Sequence, residues 1–383
     1  MDTAIIGAGL AGLQCARLLA QRGLRVLLID RKASLGDNVH TTGIFVRKTW
    51  EDFPLPDEQL GRAIRRVTLW SPRRRALHLA ADHDEFRVGR MAWIYLYLLE
   101  QCARAGVTWM PSTRLVAIDA THITVERGRK QERIPARFVV GADGARSAVA
   151  KALGLGTNRE MLVGVEDVLP SSAKSEPELH AYLDPRLAPG YIAWTLDDGE
   201  EVHVGVAGYR ERFDPVSSLT KFRASIGESR KAIERRGGLI PVGGILRKLA
   251  NRRGLLVGDA AGAVSPLTAG GLDAAMRLST FAADVIAAYL ESHDDEVLAA
   301  YTGDRFRARF MTRQWMRRAI RAVEHPLTME LACAMLRTPP LRAVAAHVFF
   351  SRGGSFPNIA PLAPHPAFGD PLPARAGRGL WRS

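Results

Sequence analysis

The chain has 383 residues, 47% of them hydrophobic, and carries a formal net charge of +13. This length predicts two or three domains with a large core, and the lack of an apolar run of about 20 residues excludes a helical membrane span. The three cysteines form neither a metal-binding spacing nor a CxxC pair, and no nucleic-acid-binding motif accompanies the positive charge. We therefore expect a cytoplasmic protein with no metal site and no nucleic-acid partner. Because the first predicted strand begins at Thr3, we also expect no leader peptide.

The first 30 residues predict a strand, a glycine-rich turn, a helix and a second strand. The apolar run Thr3–Ile6 is followed by Gly7-Ala8-Gly9-Leu10-Ala11-Gly12, then by helical spacing up to Arg22 and an apolar run that ends at Asp30. This order is typical of a dinucleotide-binding βαβ unit. Its glycines let the backbone approach a diphosphate, and its acidic residue accepts a hydrogen bond from a ribose hydroxyl. The alternative is a close-packed turn that binds no ligand.

The middle of the chain alternates between helical and strand patterns. Ile64–Ser71 and Arg75–Ala80 predict a hairpin, and Met91–Ala105 predicts an apolar helix. Phe138–Val140 predicts a buried strand that runs into Gly141-Ala142-Asp143-Gly144. Short strands separated by Pro and Gly turns over residues 159–209 predict an antiparallel sheet, which a helix over Leu219–Arg235 follows.

The last third of the chain begins with one more buried strand. Gly254–Val257 runs into Gly258-Asp259-Ala260-Ala261-Gly262, and a long helix over Leu272–Ser292 follows. Residues from Glu296 onward predict helices, the first over Glu296–Glu324, and the tail after Ser351 is rich in Gly, Pro and Arg, which predicts a loose segment.

Three of these segments together resemble one known family. Residues 7–12, 141–147 and 258–271 are similar to the three fingerprints of flavin-dependent oxidoreductases of the p-hydroxybenzoate hydroxylase superfamily. Within it, Gly258–Gly262 with Pro266 and Gly270-Gly271-Leu272, together with Pro189–Trp194, resemble the geranylgeranyl reductase branch. The resemblance implies an α/β fold with an FAD-binding Rossmann-like (three-layer) domain, an antiparallel-sheet substrate domain and a helical C-terminal part. It implies FAD as the cofactor and NAD(P)H as a transient electron donor.

This fold divides the chain into alternating segments. The expected FAD-binding domain is discontinuous. Two insertions from the substrate domain interrupt it, first a hairpin and later the main antiparallel sheet. The segments are residues 1–62, 86–158 and 245–295 for FAD binding, 63–85 and 159–244 for the substrate domain, and 296–383 for the helical region and its tail.

The resemblance also implies which residues hold the cofactor. Asp259 is expected to bond the ribityl hydroxyls, Arg90 to reach the ribityl and phosphate part, and the N–H groups of Gly271 and Leu272 to face the flavin ring. The full set of candidates is Gly7, Gly9, Ala11, Gly12, Asp30, Arg31, Thr41, Thr42, Arg90, Asp259, Gly271 and Leu272. A surface ion pair is the alternative for Arg90, and a helix N-cap is the alternative for Asp259. His40 is a candidate for direct chemistry, with a plain loop role as its alternative.

Three functions are compatible with such a site. The first is reduction, in which reduced flavin transfers hydride to a carbon–carbon double bond of an apolar, isoprenoid-like substrate. The second is an NAD(P)H-dependent monooxygenase acting on an aromatic or other apolar small molecule, and the third is a flavin-bearing accessory protein without turnover. The candidate substrate-pocket residues are the sheet aromatics Tyr182, Tyr191, Trp194 and Tyr209, for which ordinary packing is the alternative.

The stretch from Arg305 to Val323 combines apolar residues at helical spacing with seven arginines. A basic amphipathic helix of this kind can lie on an anionic membrane surface. The alternative is that the apolar stripe packs on the flavin domain and the arginines are solvated. Both interpretations stay open at the level of the sequence, as does the oligomeric state.

Overall fold

The computed structural model describes residues 1–171 and 176–350. The predicted loose tail after Ser351 therefore lies outside the described residues. The strands are β1 (Thr3–Ile6), β2 (Val26–Ile29), β3 (Ile44–Val46), β4 (Arg66–Trp70), β5 (Ala76–Ala80), β6 (Phe86–Val88), β7 (Thr108–Met110), β8 (Thr113–Ile118), β9 (His122–Arg127), β10 (Lys130–Pro135), β11 (Phe138–Gly141), β12 (Met161–Pro170), β13 (Glu178–Tyr182), β14 (Ala193–Asp197), β15 (Glu201–Tyr209), β16 (Glu234–Pro241), β17 (Ala250–Asn251) and β18 (Gly254–Leu256). The helices are α1 (Leu10–Gln21), α2 (Arg47–Asp52), α3 (Met91–Arg104), α4 (Ala148–Ala152), α5 (Pro215–Ser225), α6 (Leu272–Ser292), α7 (Asp295–Ala299), α8 (Asp304–Ala322), α9 (Pro326–Leu336) and α10 (Pro339–Phe350).

A six-stranded sheet in the order β17-β18-β11-β1-β2-β7 forms the central layer of the first part of the fold. Its pairs are parallel apart from β17–β18, and β1, β2 and β11 are buried along their whole length, as expected of a sheet covered on both faces. Helix α1 packs against α3 and against α6 on this sheet, and the meander β8-β9-β10 adds a third layer to the same core. The fold class is therefore the expected three-layer α/β arrangement.

A seven-stranded sheet in the order β16-β12-β15-β14-β13-β4-β5 forms the second part. It is antiparallel except for the β13–β4 pair, and through that pair the hairpin β4–β5 joins a sheet whose other strands come from much later in the chain. Helix α5 covers one face of this sheet with Leu219 and Phe222, both fully buried. The opposite face is turned toward the six-stranded sheet and carries the polar residues described below.

The predicted helix over Leu219–Arg235 is wrong in its second half. Helix α5 ends at Ser225, and Gly227 adopts the left-handed backbone with φ of +72° that commonly ends helices. The last two residues of the prediction, Glu234 and Arg235, begin β16, which pairs along the whole of its length with β12. Because β16 contributes an edge strand, its identity depends on a partner about 70 residues away in the chain, which helical periodicity does not report.

The predicted long helix over Glu296–Glu324 is also interrupted. It consists of α7 and α8, separated near Gly303, where a Cβ atom would lie 1.7 Å from the carbonyl oxygen of Leu246. The chain thus needs a glycine at this point so that two backbones can pass each other closely. In the described part of the chain, no helix combines the length and the hydropathy needed to cross a membrane.

Candidate functional site

The glycines of the first turn form a narrow cradle at the carboxyl end of β1. A Cβ atom on Gly7, whose φ is +105°, would lie 2.3 Å from the carbonyl oxygen of Ala142, and one on Gly12 would lie 1.9 Å from that of Gly7. Both positions therefore hold backbones in direct contact. Gly9 is different, because nothing lies within 4 Å of its Cβ position and the residue faces the main cavity. A ligand can occupy the space that a side chain would take there.

Asp30 closes the far side of this cradle. Its carboxylate accepts hydrogen bonds from the backbone N–H groups of Ala8, at 2.7 Å, and Lys32, at 2.8 Å. Helix α1 begins after Gly9 without a side-chain cap, so its first N–H groups are available to an anion. Gly9, Leu10 and Ala11 all line the cavity, which places a helix N-terminus of positive dipole against it.

Asp259 follows β18 and lies at the same cavity. The residue is partly buried, and within residues 1–171 and 176–350 no hydrogen bond or ion pair reaches its carboxylate. Burial alone raises the pKa of Asp259 to about 6. A buried carboxylate without a partner is costly, which fits an acceptor for the hydroxyl groups of a bound ligand. Gly271 and Leu272, at the uncapped start of α6, line the cavity beside it.

One cavity of about 1390 Å³ joins these elements. That volume exceeds the roughly 300–1,000 Å³ typical of small-molecule sites, so the cavity has room for a dinucleotide and a second ligand. The open cradle at Gly9 and the unpartnered Asp259 carboxylate both fit FAD. The sequence-predicted residues that line the cavity are Gly7, Gly9, Ala11, Asp30, Arg31, His40, Thr41, Thr42, Tyr191, Trp194, Asp259, Gly271 and Leu272.

Arg90 does not line the cavity. Its guanidinium binds the buried carboxylate of Asp198 at 2.5 and 3.1 Å and also contacts Glu200 at 2.9 Å. Asp198 has no exposed surface, so Arg90 neutralises a charge that would otherwise be stranded in the interior. The structure therefore places Arg90 in an ion pair with a buried carboxylate, where the alternative had been a surface ion pair, and away from the cavity in which the cofactor contact was expected.

Two of the four aromatic candidates are also directed elsewhere. Tyr182 points to the α5 face of the sheet, where it stacks on Trp70 and meets the edge of Phe222, because its neighbour Ala181 takes the cavity face. Tyr209 is buried under α8, with the guanidinium groups of Arg317 and Arg321 about 5 Å from its ring. Tyr191 and Trp194 remain as the aromatic residues of the cavity wall among the four.

The cavity extends far beyond the cradle, under the C-terminal helices. This extension is apolar, and α8, α9 and α10 supply most of its wall opposite the seven-stranded sheet. Its lining residues include Leu69, Leu179, Leu183, Ile192, Met316, Ile320, Met329, Ala332, Cys333, Leu336, Leu341, Ala345 and Phe349. Of the apolar residues in the stripe predicted over Arg305–Val323, Phe306 and Phe310 are buried and Met316, Ile320 and Val323 line the cavity, whereas Met311 is 49% exposed.

His40 lies on the cavity wall, where its Nδ1 is 3.0 Å from the carbonyl oxygen of Gly237. Partial burial, and then the nearby charge of Lys32, lower the pKa of His40. The imidazole is therefore neutral at neutral pH, and no carboxylate within hydrogen-bonding distance of it prepares it for proton transfer in the described part of the protein.

Sequence reasoning missed a second polar group on the cavity wall. Glu166 of β12 lines the cavity, and His203 of β15 lies behind it with no exposed surface. The detectable signal was modest: a charged residue at an inward position of each of two apolar strands, Met161–Pro170 and Glu201–Tyr209. Only the pairing of the strands shows that the two side chains meet.

Comparison with known proteins places these features in a family context. Residues 1–177 match the pyridine nucleotide-disulphide oxidoreductase family, and residues 219–338 match the lycopene cyclase protein family. The digeranylgeranylglycerophospholipid reductase of Methanosarcina acetivorans is 28% identical over 312 residues, which cover 76% of each chain. The corresponding reductase of Methanoculleus marisnigri is 29% identical over 326 residues, covering 79% of this chain and 81% of its own.

Solved structures show the same fold. The geranylgeranyl bacteriochlorophyll reductase-like protein of Thermoplasma acidophilum superposes with a TM-score of 0.79 at 17% identity, over 92% of this chain and 96% of its own. The p-nitrophenol 4-monooxygenase of Pseudomonas putida superposes with a TM-score of 0.63 at 15% identity, over 91% of this chain and 92% of its own. A protein described as reductase-like and one described as a monooxygenase thus share this architecture. The glycine cradle, the isolated Asp259 and these relatives agree: the chain is similar in sequence to reductases of the geranylgeranyl type and in fold to FAD-dependent oxidoreductases.

Proposed function

We propose that the protein is an FAD-dependent reductase that saturates carbon–carbon double bonds of an isoprenoid lipid. The observation that carries this proposal is the continuity of the cavity: the cofactor cradle opens directly into an apolar extension under α9 and α10. A prenyl chain is long, narrow and apolar, and burial of such a chain gains about 0.8 kcal/mol for each CH₂ group. The names of the reductase relatives support the same substrate class.

The site residues have separable roles in this proposal. Gly7, Gly9 and the start of α1 would hold the diphosphate, Asp30 a ribose hydroxyl, and Asp259 the ribityl chain. Bound FAD would supply hydride chemistry at the boundary between the cradle and the apolar extension. The protein itself positions the double bond with Tyr191 and Trp194 and excludes water with the apolar wall.

We propose NADH or NADPH as the transient source of electrons. Within the described residues a single sheet carries a glycine turn of the dinucleotide-binding type, and FAD would occupy it. A nicotinamide donor would then react without a domain of its own. Anaerobic mixing with each nucleotide should bleach the flavin absorbance; a protein that accepts electrons only from dithionite or an iron–sulfur donor would contradict this part.

The reductase function is tested by anaerobic incubation of the purified holoenzyme with an electron donor and polyprenyl phospholipids. Mass spectrometry should detect two added hydrogens for every double bond consumed. Addition of oxygen atoms to the product after admission of O₂ would instead identify a monooxygenase. Absence of either product with both lipids and aromatic compounds would favour an accessory flavoprotein.

We further propose that the enzyme contacts membranes through the outer face of α9. Leu327 and Leu331 recur at four-residue spacing on this face and are 61% and 64% exposed. The other face of the same helix lines the apolar extension, so a lipid would pass from a bilayer to the cavity beside one helix. Exposed Arg318 and Arg321 lie on the neighbouring helix α8, which favours an anionic surface.

The occupant of this face can be identified by co-sedimentation with vesicles of rising phosphatidylglycerol content. The wild-type chain should sediment with anionic vesicles, and Leu331→Glu should weaken binding while FAD content stays normal. Leu96→Glu, a change at another exposed leucine on α3, serves as the matched control. Equal binding of the wild type and Leu331→Glu would contradict the role of α9, as would self-association of the wild type without vesicle binding.

A further inference from the structure

The cavity wall carries a buried acid–base pair to which the proposed function gives no role. Glu166 is 3% exposed and His203 has no exposed surface. Glu166 lies opposite Gly205 in the β12–β15 pair, and His203 lies two residues before Gly205, so both side chains occupy the cavity face of the sheet. The sheet register thus brings together two ionisable groups that are 37 positions apart in the chain.

Glu166 connects the cavity with His203. Its Oε2 accepts hydrogen bonds from the hydroxyl of Thr42, at 2.6 Å, and from Nε1 of Trp194, at 3.3 Å, and both donors line the cavity. Its Oε1 lies 3.5 Å from Nδ1 of His203. One oxygen of the carboxylate therefore faces the cavity wall, and the other faces the imidazole.

His203 connects Glu166 with the protein surface. Its Nε2 lies 3.8 Å from Glu201 Oε2 and 3.9 Å from Asp198 Oδ2. Asp198 is bound by Arg90, which also contacts Glu200, and the Glu200 side chain is 74% exposed. A continuous series of ionisable groups therefore runs from the cavity to solvent at the turn between β14 and β15.

Glu166 and His203 form a charged pair in which the facing atoms share no hydrogen bond. Glu166 Oε1 and both ring nitrogens of His203 are buried without a hydrogen bond in the described part of the chain. Burial lowers the pKa of His203, but Asp198 and Glu166 outweigh it and raise the pKa to about 9. The charged groups around the pair are Arg236 and Glu234 of β16, Asp198 and Glu201 at the β14–β15 turn, and Arg90 before α3. His203 therefore keeps its proton at neutral pH.

We propose that Glu166 and His203 supply the proton that lipid reduction consumes, Glu166 as the donor facing the substrate and His203 as the reservoir behind it. The inference rests on the proposed reductase function. One carbon of the double bond accepts a hydride, the chemistry that bound FAD supplies, and the π bond breaks. The Glu166 carboxylate takes the proton of His203 and passes it to the neighbouring carbon, and solvent returns a proton to His203 by way of Glu201 and Asp198. Two C–H bonds form, and the pair ends in its starting state.

A first measurement does not depend on turnover. The imidazole of His203 is titrated by NMR in the oxidised holoenzyme, with His203→Gln used to assign its resonance. Coupling predicts a pKa of about 9 in the wild type and a value moved toward the ordinary 6.5 or so in Glu166→Gln. An identical titration in the wild type and Glu166→Gln overturns the inference, because the two groups would then not share a proton.

A second measurement follows a single turnover of pre-reduced enzyme with a polyprenyl phospholipid. Glu166→Gln should slow product formation by about 10²–10⁴-fold, the usual contribution of a general acid, while FAD content and reduction by dithionite stay normal. His203→Gln should also be slow, and it should lose the fall in rate that the wild type shows as pH rises through the pKa of His203. Glu234→Gln removes a negative charge from the same face of the sheet outside the series and should keep the wild-type rate.

The outcomes separate the two proposals. A wild-type enzyme that reduces no polyprenyl lipid overturns the proposed function and with it the proton relay. If the wild type reduces the lipid and Glu166→Gln reduces it at the same rate, the proton relay is refuted and the proposed function is not. If Glu166→Gln fails to hold FAD, the wild-type pH profile decides: a rate that stays constant from neutral pH to well above 9 excludes His203 as the reservoir.

Discussion

Replacement of Asp259 by asparagine should raise the free energy of unfolding of the FAD-free protein and lower its affinity for FAD. The pKa of Asp259 is raised from 3.8 to about 6, with burial as the cause. The folded state therefore binds this proton more tightly than the unfolded state does. The associated stability is fully present below the unfolded pKa and is lost as pH rises through about 6. A shift of this size corresponds to roughly 3 kcal/mol, at about 1.4 kcal/mol for each unit.

FAD-free Asp259→Asn cannot ionise and so escapes this loss. At neutral pH its free energy of unfolding should exceed that of the FAD-free wild type by up to about 3 kcal/mol, and the two should converge in acid. FAD affinity should change in the opposite direction. The wild type should bind FAD more tightly than Asp259→Asn does, because the carboxylate is the stronger acceptor for a hydroxyl. Removal of the acceptor in Asp259→Ala should weaken FAD binding by about ten- to a hundredfold, the equivalent of one charge-assisted hydrogen bond.

The assay is urea unfolding of the FAD-free proteins across the acid-to-neutral range, with FAD titration by flavin fluorescence. Asp30→Asn provides the contrast, because Asp30 lines the same cavity but accepts hydrogen bonds from the backbone N–H groups of Ala8 at 2.7 Å and Lys32 at 2.8 Å. That change should destabilise the protein rather than stabilise it. If FAD-free Asp259→Asn were no more stable than the wild type at neutral pH, Asp259 would have a partner that compensates its charge, and the assignment to the ribityl chain would lose its basis.

Four further changes test other parts of the site. Arg90→Met should lower the free energy of unfolding by about 3–5 kcal/mol, because the Asp198 carboxylate stays buried without its partner. The FAD affinity of the folded fraction should be unchanged. A specific loss of FAD affinity would instead show that Arg90 contacts the cofactor. Ala332→Trp should fill the apolar extension and slow reduction of long polyprenyl lipids by at least about tenfold relative to short prenyl alcohols, as measured in competition, whereas equal slowing of both would show that the chain binds elsewhere. Gly9→Val should fold but bind no FAD, because its side chain would occupy the open cradle. Gly12→Val should yield little folded protein, because its Cβ would collide with the Gly7 carbonyl. Circular dichroism combined with flavin absorbance distinguishes the two outcomes.

The cofactor end of the site could be predicted from the sequence because its contacts are local. Gly7, Gly12 and Asp30 meet within one βαβ unit, and the hydrogen bond from Ala8 to Asp30 spans 22 positions. The spacing of glycines and the acid at the strand end is itself the geometric requirement for that unit. The same reason applies to Asp259 and the start of α6, which are separated by a short loop.

The second half of the site depended on the tertiary structure. Arg90 meets Asp198 across 108 positions, and the choice between a phosphate and that carboxylate cannot be made from the residues around either. Strand register decided that Trp194 faces the cavity while Tyr182 faces α5, since neighbouring positions of paired strands point to opposite faces. Register also brought Glu166 to His203, and pairing with β12 placed Glu234 and Arg235, the end of the predicted helix, in a strand. Local spacing thus determined where FAD would bind, whereas long-range pairing decided which side chains surround the substrate, because a side chain's partners across a sheet are absent from its own stretch of sequence.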